Sequence, residues 1–122
     1  MSTIDACKSL VQEAFSSPSK WEGNLTRAEA LLSAAILREP ASTLLLTCLG
    51  AVLCDQAQHE KAVTVLSRAA ALGSTDRNTF FNLGVAVLQS GSHEEAMRFF
   101  SKARALQPSP QSWEAYFDPQ AH

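Results

Sequence analysis

Apolar residues recur along this chain at the three- and four-residue spacing that gathers them on one side of a helix, in six successive blocks. The first block holds Ile4, Cys7, Leu10, Val11, Ala14 and Phe15, with Ser2 or Thr3 placed to cap it and Asp5 in its first turn. Pro18 disfavours helical geometry in the residue before it, so this helix is expected to stop near Ser16 and SSPSKWEG to form a loop. The second block, with Leu25, Ala28, Leu31, Leu32, Ala35 and Ile36, is expected to start at Asn24 or Thr26. Thr26-x-x-Glu29 has capping-box spacing, and Glu39-Pro40 ends the block. Four more helices are expected over about 42–56, 58–72, 77–90 and 92–106, with Gly73 suited to a left-handed stop and Gly91 turning the chain. Asp76 is placed to cap the fifth, and Ser92-x-x-Glu95 forms a further capping box. Trp113, Tyr116 and Phe117 then fall at i, i+3 and i+4, the face of a short seventh helix halted by Asp118-Pro119.

The last four long helices are two copies of one unit. Residues 43–76 laid on 77–110 at a step of 34 agree at nine positions, among them Leu49/Leu83, Gly50/Gly84, His59/His93, Glu60/Glu94, Ala62/Ala96, Ala69/Ala103 and Leu72/Leu106. A period of that size marks a unit of two helices that buries its apolar side only by stacking on its neighbours. Small residues at Gly50, Gly84, Ala62, Ala69, Ala96 and Ala103 allow close helix approach, and Leu66 and Phe100 fill the remaining space. A third, degenerate copy covers about 9–42: Ala28, Leu32, Ala35 and Pro40 keep the pattern, while Gln12, Ser16 and Ser19 depart from it.

The second copy reads Phe80-x2-Leu83-Gly84-x2-Val87, Ala96-x3-Phe100 and Pro108; the first reads Leu46-x2-Leu49-Gly50-x2-Leu53 and Ala62-x3-Leu66, with Ser74 in place of proline. This pattern resembles the tetratricopeptide repeat family. The resemblance implies one all-α domain over 1–122, a right-handed α-α superhelix of about three hairpins with a short capping helix at 111–118. It further implies a concave groove, lined by the first helix of each repeat, that binds a segment of a partner protein. Carried over by repeat position, the groove comprises Leu44, Thr47, Cys48, Ala51 and Asp55 in one repeat and Asn78, Phe81, Asn82, Val85 and Gln89 in the next. Family members that capture a carboxy-terminal carboxylate use lysine, arginine and asparagine at these positions. Here Glu13, Ser17 and Cys48 replace the cations, which disfavours such tails and leaves an apolar peptide or an amphipathic helix as the expected ligand.

Two further roles remain open. NTFFNLGVAVLQSG followed by FFSKARAL is similar to the small three-repeat chaperones of type III secretion, although the long amino-terminal helical extension of translocator chaperones is missing. The alternative is a self-assembling scaffold that docks Trp113, Tyr116 and Phe117 into a second protomer; the simpler reading is that these three cap their own fold.

Composition narrows the rest. The 122 residues are 46% apolar and 18% charged with a net charge of -2, a globular composition with no electrostatic footprint for nucleic acid or an anionic membrane. Cys7, Cys48 and Cys54 form no C-x-x-C pair, which points to buried thiols and a cytoplasmic location. MSTIDACKSLVQEAF contains no long apolar run, so neither a signal sequence nor a membrane span is expected there. None of the phosphate-loop, dinucleotide, serine-hydrolase or zinc-protease motifs occurs, so an enzyme is not expected and no cofactor is implied. His59 and His93 share one repeat position without further ligands at metal spacing and are expected to be packing residues. Trp21 is expected to cover the end of the first repeat.

Overall fold

The computed structural model describes residues 2–116. Among these the regular structure is helical throughout: α1 (Thr3–Ser16), a 3-10 turn (Pro18–Lys20), α2 (Trp21–Arg38), α3 (Thr43–Asp55), α4 (His59–Ala71), α5 (Arg77–Ser90) and α6 (His93–Arg104). Short polar side chains start four of the helices by taking up an otherwise unpaired N–H in the first turn. Ser2 accepts from the Asp5 N–H at 3.1 Å, Ser42 from Leu45 at 3.2 Å, Asp76 from Asn78 at 2.9 Å and Ser92 from Glu95 at 3.3 Å. Gly91 ends α5 at φ 116°, where its N–H bonds to the Val87 carbonyl. The equivalent turn after α3 places Ala57 at φ 61°, a left-handed conformation that disfavours a side chain.

Each helix packs on its successor, α1 with α2, α3 with α4 and α5 with α6, and the pairs join through α2–α3 and α4–α5. The odd-numbered helices also touch, α1 with α3 and α3 with α5, so they share one side of the molecule. Helix approach within the pairs is set by glycine. A Cβ built on Gly50 would lie inside the side chain of Leu66, which is fully buried, and one on Gly84 would sit 2.7 Å from the Phe100 ring. Between the pairs, a buried hydroxyl contact of 2.5 Å joins Thr47 of α3 to Thr79 of α5, and Ser74 reaches Thr79 at 2.7 Å. No helix among the described residues is long and apolar enough to cross a membrane.

Two expectations from the sequence are corrected. The stretch SSPSKWEG is not a loop, because Pro18 opens a 3-10 turn that runs directly into α2, so Trp21 is the first residue of that helix. Asn24 and Thr26 therefore lie inside α2, and Asn24 spends its amide on α1, donating to the Leu10 carbonyl at 3.0 Å and to Glu13 at 3.1 Å. The second correction concerns the expected cap. Residues 111–116 form turns, bends and irregular backbone rather than a helix; Phe117 and the remainder of that segment lie outside the described residues. A helix halted by Asp118-Pro119 would have at most eight residues after Pro110, too few to stand alone, and the main-chain groups of Trp113 and Ala115 find partners on α5 instead.

Candidate binding groove

The side on which α1, α3 and α5 meet is occupied by the chain's own tail. After α6 the chain turns back, with the Arg77 N–H bonded to the Gln107 carbonyl at 3.1 Å, and residues 109–116 then run between α5 and α1. Asp76, already the cap of α5, accepts from the Ser109 N–H at 3.0 Å and from the Ser112 hydroxyl at 2.5 Å. Two residues on, Asn78 donates to the Ser112 oxygen at 2.9 Å. A further turn along the same face, Asn82 grips the main chain twice, donating to the Trp113 carbonyl at 3.0 Å and accepting from the Ala115 N–H at 2.9 Å.

Side chains complete the seat. Ser112, Trp113 and Ala115 are buried, whereas Glu114 points out and pairs with Arg77 at 2.8 Å. Tyr116 stacks on Phe15 of α1 with ring centroids 4.7 Å apart, and Lys8 of α1 donates to the Pro110 carbonyl at 3.3 Å. The Cys48 sulfur of α3 lies 3.9 Å from the Gln111 carbonyl. Seating leaves two buried polar atoms without a partner among the described residues, the Trp113 indole Nε1 and Asn78 Oδ1.

Of the ten groove positions expected from sequence, the tail thus meets Cys48, Asn78 and Asn82 through hydrogen-bond geometry. Ala51 and Val85 are fully buried in the core, Leu44 is half-buried against it, and Thr47 is spent on Thr79. Asp55 borders a recess of about 480 Å³ with Trp21, Leu25 and Gln58. Gln89 borders a second recess, of about 410 Å³, with His59 and Lys61. Phe81 lies on the outer side of the last pair, its ring 5.5 Å from Phe100 and under the Arg77 guanidinium at 5.7 Å. The expectation of packing histidines also divides: His59 is half-buried, and desolvation pushes its pKa below the ordinary value, while His93 is exposed. No group of three His, Cys, Asp or Glu side chains among the described residues could hold a metal ion.

Sequence reading missed Lys8, Asp76, Arg77 and Ser112 as groove residues. Asp76 was legible only as a helix cap, and nothing in the local pattern links Lys8 or Arg77 to a segment tens of residues away. Trp113 and Tyr116, grouped as a helical face, instead point to different places on the molecule.

The three cysteines are free and buried. Burial pushes the thiols up, Cys7 to about 11 and Cys48 and Cys54 to about 12, with Asp76 adding to the effect at Cys48. All three should therefore resist alkylation near pH 8, since the thiolate is the reacting species. Trp113→Ala is expected to speed labelling of Cys48, which lies under the tail, by about tenfold while leaving Cys54 slow, as read by peptide mapping. Equal acceleration at both sites would mean general loosening rather than tail release.

No protein-family model and no curated protein matches the chain.

Proposed function

We propose that the chain is a non-catalytic module of the tetratricopeptide type that holds a segment of another protein against the face where α1, α3 and α5 meet. The observation that carries the reading is the tail itself, a peptide-like segment seated there through Asn82. Such a seat favours an extended ligand over an amphipathic helix. Asn82 engages a main-chain carbonyl and a main-chain N–H two residues apart, groups that the interior of a helix uses internally. The close approaches at Gly50 and Gly84, at equivalent positions of the two repeats, support the family resemblance.

A pull-down from native extract with the wild-type chain and with Asn82→Ala and Asn78→Ala tests the reading. The partner is expected to stay on the wild-type chain and to be lost from a folded Asn82→Ala chain. A partner held equally by all three folded chains would place its site elsewhere.

A further inference from the structure

We propose that residues 109–116 are a displaceable self-ligand, and that the segment replacing them is an extended stretch of a partner protein. Its chemistry is a hydroxyl residue, a large apolar residue without a buried donor, an acidic or neutral residue and a small residue, in that order. The proposal rests on the groove reading above and specifies its ligand and its regulation.

The chemistry follows from what each position of the tail meets. Asp76 and Asn78 together grip the Ser112 hydroxyl, one accepting and one donating, which selects serine or threonine there. The next side chain, Trp113, is buried, and so is the small side chain of Ala115. Between them Glu114 faces Arg77, so a basic residue is disfavoured. Asn82 reads only the main chain and therefore accepts any extended segment that meets these conditions.

Displacement follows from the way the tail is seated. Its indole N–H is buried without an acceptor among the described residues, a defect that a phenylalanine or leucine at the same place would not have. Burying an unpaired donor weakens the seat by about tenfold or more relative to such a side chain. What favours the tail is its tether, since α6 ends at Arg104 and only a few residues separate it from Ser109. A short tether of this kind corresponds to an effective concentration on the order of millimolar. An untethered segment of equal fit thus half-displaces the tail at about millimolar concentration, and one free of the indole defect at about tenfold less.

The test uses a synthetic peptide with the sequence of residues 109–116 carrying Trp113→Phe, blocked at both ends, added to the full-length chain in a Trp21→Phe background. Trp113 is then the sole indole, as the chain has two tryptophans. The expected result is a saturable red shift of Trp113 emission as it leaves the groove, at about tenfold lower concentration than the same peptide with serine replaced by valine at position 112. Glu114→Arg in the full-length chain faces the tail with Arg77 without touching the core, and should lower the peptide concentration needed by about threefold to tenfold. Peptide that shifts Trp113 in neither chain overturns the proposal and makes the tail a fixed strap. A concentration-dependent dimer with exchanged tails overturns it in favour of a second copy as the occupant. If the Asn82-dependent partner of the pull-down persists while the peptide fails, only the self-ligand proposal falls; if both fail, the groove reading falls with it.

Discussion

Asn82→Ala is expected to lower the free energy of unfolding by about 2–4 kcal/mol, because it strands two buried main-chain groups at about 1–3 kcal/mol each. These groups are the Trp113 carbonyl and the Ala115 N–H, which have Asn82 as their partner at 3.0 and 2.9 Å. If the tail lifts off to rehydrate them, the loss appears instead as the burial of Trp113 and Ala115 forgone. Either route gives a lower urea midpoint, and the second adds a red-shifted Trp113 emission. Asn82→Asp should do no better: its carboxylate still accepts from Ala115 but turns an acceptor toward the Trp113 carbonyl in a site closed to water. A folded Asn82→Ala chain with the wild-type midpoint would mean that these bonds contribute nothing to holding the tail.

Gly50→Val is expected to destabilise the chain by about 2–3 kcal/mol through overpacking, and Gly84→Val by less. The difference lies in what each new side chain meets. At Gly50 it meets Leu66, fully buried between α3 and α4 with nowhere to move; at Gly84 it meets the edge of the half-buried Phe100 ring, which can swing outward. Gly23 in α2 supplies the contrast, since nothing lies within 4 Å of a Cβ placed there. Gly23→Ala should stabilise by up to about 1 kcal/mol through helix propensity alone. Thermal melts of the three variants therefore rank Gly23→Ala above wild type, then Gly84→Val, then Gly50→Val. A Gly50→Val chain melting with the wild type would remove the argument that glycine sets the helix spacing.

How much of this was legible depends on how local the cause is. The helices follow from runs such as Leu25, Ala28, Leu32 and Ala35, whose spacing needs no knowledge of the rest of the chain, and all four side chains are buried. The caps at Ser42, Asp76 and Ser92 are equally local. Gly50 and Gly84 were readable because the repeat shows them twice. The start of α2 was misplaced because Thr26-x-x-Glu29 has the spacing of a cap while Asn24 is claimed by α1, a contact between helices that no window of sequence contains.

The tail was misread for a related reason. Trp113 and Tyr116 have helical spacing, but the energies that decide their conformation come from Asn82, Asp76 and Phe15, up to about a hundred residues earlier in the chain. Asn78 and Asn82 were placed on the inner face, whose expected ligand was an apolar peptide or an amphipathic helix. Their object in the structure is a serine hydroxyl and a stretch of main chain.

The seating of the tail is tested most directly by amide hydrogen exchange at Ala115 in the wild-type chain and in Asn82→Ala. The Ala115 N–H, buried and bonded to Asn82, should exchange slowly in the wild type and near the free-peptide rate in the variant, while amides in the middle of α3 stay protected in both. An Ala115 amide exchanging at the free-peptide rate in the wild-type chain would contradict the account, because the inner face would then be open and its ligand unknown.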